Sequence, residues 1–194
     1  MRTHGALYQI LSVVADPKKP LTKSRVRVSA AIDAIGFGTF LGLPKNDRMV
    51  LALAGLLGGL SNSNEPATAV KHLLGFPGLG GAAMSLVLAI HDARAVRFGR
   101  ASGLPGDILA TVETYTAMTS TAPNRAGLAP AIALSSLQQG GVKGIDPRWA
   151  LLFAAYKGPF PLGSPITLSD GTLAAVISQG EAEAGKQRPT VAPI

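Results

Sequence analysis

Apolar residues recur every three or four positions along most of the chain, and this spacing predicts amphipathic helices. The first predicted helix runs from Arg25 to Gly42, and the second starts near Asn46 or Asp47, both of which are good N-cap residues. The expected inward residues of the two helices are Val28, Ile32, Ile35, Met49, Val50, Leu53, Leu56, Leu57 and Leu60. Because the apolar arc of the second helix is wide, we expect that helix to be central.

The helical spacing continues beyond a Gly-rich loop at residues 76–81. Further helices are predicted around residues 84–91, over Asp107–Met118, over Pro130–Leu137, and after Asp146. Asp146 is followed by Pro147, and this order is typical of an N-cap with proline at the first helical position. The expected inward residues are Met84, Val87, Leu88, His91, Ile108, Val112, Tyr115, Ile132, Leu134, Leu137, Trp149, Leu152, Phe153 and Tyr156.

The pattern changes near the end of the chain. Ser164–Leu168 and Leu173–Ser178 flank an Asp-Gly turn and are expected to form a β-hairpin, and a weak strand can follow at residues 189–194. The sequence therefore predicts a mostly α fold with a small C-terminal β-hairpin or sheet. We divide it into a basic N-terminal segment (1–24), a helical domain (25–157) and a hairpin with its tail (158–194).

Composition narrows the class of protein. The chain has 194 residues, of which 47% are hydrophobic, 5% aromatic and 15% charged, and it contains no cysteine. This hydrophobicity excludes a wholly disordered chain, and the lack of cysteine excludes a disulfide framework. The longest apolar run, Met49–Leu60, is shorter than the roughly 18 residues that a membrane-spanning helix needs. No cleavage motif follows the apolar start, so we expect a cytoplasmic protein without a membrane span.

Positive charge is concentrated at the start of the chain. Residues 1–27 hold six basic residues and one acid, in a chain of net charge +7. A basic arm can attract nucleic acid, but no aromatic residue is interleaved with this cluster, and prolines interrupt it. We therefore expect a solvated loop and helix start rather than a nucleic-acid interface.

Several strings resemble the HD-GYP family, bacterial metal-dependent phosphohydrolases of the wider HD superfamily. The resemblance is strongest in the second half, through the strings DILATVETYTAMTSTAPNRAGLAPAIALSSL, GIDPRWALLF and GPFPLGSPITLSDGTLAAVI. It is weaker in the first half, through RVRVSAAIDAI and LALAGLLGGLSN. The resemblance implies an HD-type helical bundle, and a family active site in which His and Asp side chains hold two or three metals that activate a water against a phosphodiester.

Position by position, the resemblance implies that this metal site is lost. The defining His-Asp pair aligns with Gly58 and Gly59, and glycine has no side chain that could bind a metal. The remaining family positions are changed as well: the early His aligns with Ser24, the following Lys with Asn62, the metal-binding Asp of the long helix with Glu113, and a second Asp with Thr116. The Gly-Tyr-Pro segment that names the family has no clear counterpart.

The number of possible metal ligands in the chain, counted without reference to the family, also predicts that no such metal site is present. The chain has three histidines, whereas a dinuclear site normally needs five or more protein ligands. His72, His91, Asp92 and Glu113 are vestigial metal candidates that could at most hold one ion. We therefore predict no metal, no cofactor and no catalytic residue. In the family's Arg-Pro-Tyr-Arg segment, Pro123 and Arg125 remain, and the resemblance makes Arg125 a candidate for binding ligand phosphate.

Three functions stay open from the sequence. The first is a catalytically inactive HD-GYP-like pseudo-enzyme that acts as a regulatory or protein-interaction module, with a protein partner or a homodimer. The second is a sensor that binds cyclic di-GMP or another nucleotide without hydrolysing it. The third is a residual metal-dependent cyclic di-GMP phosphodiesterase. The loop at residues 76–79 and the segment Pro159–Pro161 are the candidate surfaces for a partner. Either can instead pack back on its own domain, and we expect this for Pro159–Pro161.

Overall fold

The structure, a computed structural model, describes residues 23–58, 85–86, 88–90, 92–93, 96, 103–140, 142–180, 182–183 and 186–194. This part of the chain is mostly helical and ends in a small antiparallel sheet. Its helices are α1 (Lys23–Phe40), α2 (Lys45–Leu57), α3 (Leu104–Thr119), α4 (Pro130–Gln138) and α5 (Pro147–Lys157). The described positions between 85 and 96 are also helical. None of the helices in these ranges is long and apolar enough to cross a membrane.

The inward face of α1 differs from the predicted one. Val28 is 46% exposed, whereas Ala30, Ala34 and Phe37 are fully buried. Ile32 and Ile35 of the predicted stripe are half-buried, so the core takes the face of Ala30, Ala34 and Phe37 and leaves the predicted stripe at its edge or outside it. The reason is the close approach of α2, since a methyl group on Gly55 would lie 3.1 Å from the Ala31 backbone nitrogen. Small residues on both helices permit this approach, and hydrophobic spacing alone could not show it.

Helix α2 also differs from its prediction at its start and along its outer face. It begins at Lys45 after Pro44 and has no side-chain N-cap, so Asn46 and Asp47 lie inside its first turn. Met49 and Leu56 are 53% and 42% exposed. The wide apolar arc is therefore covered on one side only, by the helices that pack against Leu51, Ala54 and Gly55. Leu60 lies outside the described residues.

Helix α3 is at the centre of the bundle and contacts α1, α2, α4 and α5. Ile108, Val112 and Tyr115 are buried, as predicted. The helix starts at Leu104 rather than at Asp107, with Pro105 in its first turn. Proline is compatible with this position because the N–H groups of a first turn have no partner within the helix.

Helices α4 and α5 occur where the sequence predicts them. The Asp146 carboxylate accepts a hydrogen bond from the Arg148 backbone N–H at 2.8 Å, which confirms the predicted N-cap of α5. Phe153 and Tyr156 are buried as expected, whereas Ile132 and Leu152 are 55% and 40% exposed. Other expected inward residues are buried or half-buried, namely Leu134, Leu137 and Trp149.

The C-terminal sheet confirms the predicted hairpin, and a third strand lies within residues 189–194, where the sequence indicated a possible weak strand. Its strands β1 (Pro165–Thr167), β2 (Leu173–Ser178) and β5 (Thr190–Pro193) are antiparallel, in the order β1-β2-β5. Gly171 has φ +84°, a left-handed conformation that glycine adopts without strain at the hairpin turn. The short strands β3 (Ala182–Glu183) and β4 (Lys186–Gln187) form a second pair. The sheet is tied to the bundle by the Gln179 side-chain amide, which donates to the carbonyl of the last α5 residue, Lys157.

Of the two candidate interaction surfaces, the structure describes only the segment Pro159–Pro161. Pro161 is buried and Phe160 is half-buried, so this segment packs largely on its own fold, with Pro159 exposed. The loop at residues 76–79 lies outside the described residues, as does almost all of the basic N-terminal segment.

Candidate functional site

The structure brings α1, α2 and α3 together at Gly58, which the resemblance aligns with the first residue of the lost His-Asp pair. Gly58 is buried directly after α2, and its N–H donates to the Ala54 carbonyl at 2.8 Å. A methyl group on Gly58 would lie 2.7 Å from Glu113 Oε1 and 2.8 Å from Arg27 Nη1. Such distances are shorter than van der Waals contact, so a side chain at this position would have to displace the ends of the Glu113 and Arg27 side chains.

The atoms that crowd Gly58 belong to an ion pair between α1 and α3. Arg27 Nη1 donates to Glu113 Oε1 at 2.5 Å, and the two side chains are 25% and 9% exposed. A nearly buried carboxylate needs a neutralising partner, because removing it from water is costly. Arg27 supplies that positive charge from within the chain.

The residues at the aligned positions do not fit a family-type metal centre. Gly58 offers no ligand atom, and Glu113 is bound by Arg27. Thr116 is buried, and its hydroxyl donates to the Val112 carbonyl at 2.9 Å. Ser24 lies exposed at the start of α1. Within the described ranges, no three His, Cys, Asp or Glu residues are grouped closely enough to hold a metal ion.

Of the other vestigial metal candidates, the structure describes only Asp92. Asp92 is half-buried and lines a groove whose described lining does not include Glu113. His72 and His91 lie outside the described residues, as do Gly59 and Asn62. The predicted cluster of His72, His91, Asp92 and Glu113 therefore remains a prediction.

Arg125 is exposed in the loop after α3 and binds the end of that helix. Its guanidinium donates to the Ser120 and Met118 carbonyl oxygens at 3.3 and 3.4 Å, and also to the Ala117 carbonyl. The last carbonyls of a helix lack partners within the helix, and a basic side chain there satisfies them and complements the helix dipole. Arg125 thus has a visible structural role, while its predicted role in phosphate binding stays a prediction.

A second ion pair, which the sequence analysis did not single out, lies in the core. Lys157 Nζ donates to Asp33 Oδ1 at 2.6 Å, and both side chains are 3% exposed. The ammonium also lies 5.0 Å from the centre of the Tyr115 ring and 5.8 Å from that of Phe153, close enough for cation–π attraction. The only signal of the Asp33–Lys157 pair in the sequence is an isolated charge in each of two apolar stretches, SAAIDAIGF and WALLFAAYK.

Burial at this second pair also affects the neighbouring tyrosine. Desolvation, together with the negative charge of Asp33, raises the pKa of Tyr115 well above its ordinary value. The phenol is therefore kept neutral, which suits a structural group in the core rather than an acid or base that exchanges protons near neutral pH.

No protein-family model, no curated protein and no solved structure matches this chain. The resemblance to the HD-GYP family consequently rests on the sequence strings that carry it.

Proposed function

We propose that this chain is a catalytically inactive, HD-GYP-like helical domain that works as a regulatory or protein-interaction module. One observation carries the proposal. At the position aligned with the metal-binding pair, Gly58 is packed against the Arg27–Glu113 ion pair. An internal cation thus neutralises the carboxylate that a metal would otherwise use.

This arrangement supports the loss of hydrolysis for a chemical reason. Attack on a phosphodiester at neutral pH needs a hydroxide, which the family generates on bound metal ions. A guanidinium can attract a phosphate, but it cannot lower the pKa of a bound water as a divalent cation does. With a glycine at 58 and a paired Glu113, the described residues supply no alternative route to that nucleophile.

The arrangement around Arg125 favours the interaction module over the nucleotide sensor. Its guanidinium donates to three backbone carbonyls at the end of α3. Donors used in this way are less available to a phosphate, and we keep cyclic di-GMP binding as the alternative that the same experiment examines.

The test measures hydrolysis and binding of cyclic di-GMP side by side, with Mn²⁺, Fe²⁺ or Mg²⁺ added in turn. We expect no turnover above a protein-free blank and no saturable binding of the nucleotide. Metal-dependent turnover that is abolished by His91→Ala would contradict the proposal and show that the chain is a residual phosphodiesterase. Saturable binding without turnover, lost in Arg125→Ala but retained in Arg148→Ala, would contradict the interaction module and show that the chain is a nucleotide sensor. Arg148 is a suitable control because its side chain is 86% exposed and lies on a different helix.

A further inference from the structure

A groove of about 710 Å³ opens between the first half of α2, the helical residues near position 90 and the start of α3. The described residues that line it are Leu43, Asn46, Asp47, Met49, Val50, Leu51, Leu53, Ser85, Leu86, Leu88, Ala89, Asp92, Leu104, Pro105 and Ile108. Most of these residues are apolar, and together they come from three parts of the chain. We call this feature the α2–α3 groove.

The groove has a buried apolar floor and an exposed apolar rim. Leu51, Leu86 and Ile108 form the floor and are at most 1% exposed. Met49, Leu88 and Leu104 stand on three different segments and are 53%, 54% and 48% exposed. Large apolar side chains that surround one concavity, rather than being scattered singly, are typical of an interaction site.

The charges of the groove are opposite in sign to that of the whole molecule. The chain carries a net charge of +7, yet both charged residues in the described lining, Asp47 and Asp92, are acidic. The basic neighbour Arg48 is directed away, because its Nη1 donates to Thr39 Oγ1 on α1 at 3.0 Å. An occupant that is apolar on one side and carries positive charge at its margin would complement both properties.

The groove is separate from the Gly58 region. Asp47 lies in the first turn of α2, whereas Gly58 directly follows the last turn. On α2 the described lining ends at Leu53, about 8 Å along the helix from Gly58, and it includes none of Gly58, Arg27 and Glu113. Binding in the groove therefore does not depend on the chemistry of the Arg27–Glu113 pair.

We infer that the α2–α3 groove binds an amphipathic helix of a partner protein, with an apolar stripe flanked by Lys or Arg residues. Helix-in-groove recognition places apolar anchors at i, i+3, i+4 and i+7 into such a concavity. The negative charge of Asp47 then favours basic residues at the flanks of the helix. This inference deepens the proposed function, on which it rests, by assigning the surface and the kind of partner.

The experiment uses two 18-residue helical peptides with leucines at the same positions, one with lysine at all other positions and one with glutamate. Fluorescence anisotropy with the full chain should give saturable binding of the Leu/Lys peptide and at least about tenfold weaker binding of the Leu/Glu peptide. Met49→Glu should lower the affinity for the Leu/Lys peptide about tenfold or more, and Asp47→Asn should lower this affinity by a smaller factor. Leu151→Glu is the matched control, because Leu151 is 55% exposed but lies on α5.

Three results would overturn the inference: no saturable binding, equal affinity for both peptides, or equal loss in Met49→Glu and Leu151→Glu. A dimer seen by sedimentation and dissociated by Met49→Glu alone would overturn it too, because the occupant would then be a second copy of this chain. Thermal melts confirm that the variants fold, and Leu104→Glu repeats the test on another segment. The assay contains no metal and measures no hydrolysis. A failure of peptide binding therefore leaves the proposed lack of hydrolysis intact, and detection of hydrolysis leaves the peptide-binding result intact.

Discussion

At the scale of single residues, the absence of a side chain at position 58 decides which chemistry the junction of three helices can support. A β-carbon at Gly58 would lie within van der Waals distance of both charged ends of the Arg27–Glu113 pair. A side chain at 58 and the ion pair therefore compete for the same volume. Restoring one member of the His-Asp pair should consequently disturb packing rather than create a metal ligand.

Gly58→His should lower the free energy of unfolding by about 1–3 kcal/mol, the usual cost of overpacking. Because Arg27 still supplies a positive charge next to Glu113, added Mn²⁺ should not restore this loss. Urea unfolding with and without Mn²⁺ measures both effects. Gly103→Ala is the control, since a methyl group there meets Asp92 Oδ2 at an ordinary 3.4 Å. Stabilisation of Gly58→His by Mn²⁺ would show that the site can be rebuilt by one substitution.

Tyr115 gives a prediction for alkaline pH. An unfolded tyrosine loses its proton near pH 10.0, whereas burial and Asp33 raise the pKa of Tyr115 in the folded protein. Above about pH 10 the unfolded chain thus binds fewer protons than the folded one, and stability falls by about 1.4 kcal/mol per pH unit from this residue. Tyr115→Phe should remove that component of the slope and leave no pH-dependent difference below about pH 9. Parallel stability curves for the two proteins above pH 10 would contradict the assignment.

At the scale of elements, charged side chains join helices that are far apart in the sequence. Arg27 and Glu113 join α1 to α3, and Asp33 and Lys157 join α1 to α5. The second pair lies among aromatic rings, with Phe37 and Phe153 packed edge to face at a centroid distance of 5.1 Å. A buried pair of this kind is costly to break at one end, because the remaining charge stays out of water.

Lys157→Met and Asp33→Leu should each lower the free energy of unfolding by about 3–5 kcal/mol. The double variant should lose less than the sum of the two, because it leaves no uncompensated charge in the core. A double-mutant cycle from urea unfolding measures this coupling. Arg148→Met serves as the control, since the Arg148–Asp146 pair is exposed and its loss should leave the unfolding midpoint nearly unchanged. Additive losses in the Asp33 and Lys157 variants would mean that the pair is not coupled.

At the scale of the whole molecule, the bundle closes through apolar packing and these two ion pairs. A continuous core runs through α1, α2, α3, α4 and α5 and includes fully buried residues from each, such as Phe37, Leu51, Val112, Leu137 and Phe153. The folded state is accordingly expected to form and persist by itself.

The thermal melt of the full chain should be cooperative and unchanged by EDTA. A metal that bound only the folded state would add about 2.7 kcal/mol at a hundred times its dissociation constant, and chelation would remove that contribution. Differential scanning calorimetry before and after extensive dialysis against EDTA makes the measurement. A melting temperature that falls by several degrees on chelation and recovers with Mn²⁺ would contradict the metal-free fold.

The sequence by itself determined the elements whose signals are local. The N-cap at Asp146, the hairpin around Gly171 and the inward residues Ile108 and Val112 of α3 follow from capping, turn and periodicity rules, and the structure confirms them. Local rules work here because each involves residues only a few positions apart.

Only the tertiary structure decided which faces of α1 and α2 are buried and which charges meet. The close α1–α2 contact at Gly55 selected the small-residue face of α1 and left Val28 exposed. Packing brought Arg27 to Glu113 across 86 positions and Asp33 to Lys157 across 124. Apolar residues surround these helices on several sides, so periodicity allows more than one inward face. Which face the core takes is settled by the shapes of the helices that pack against it.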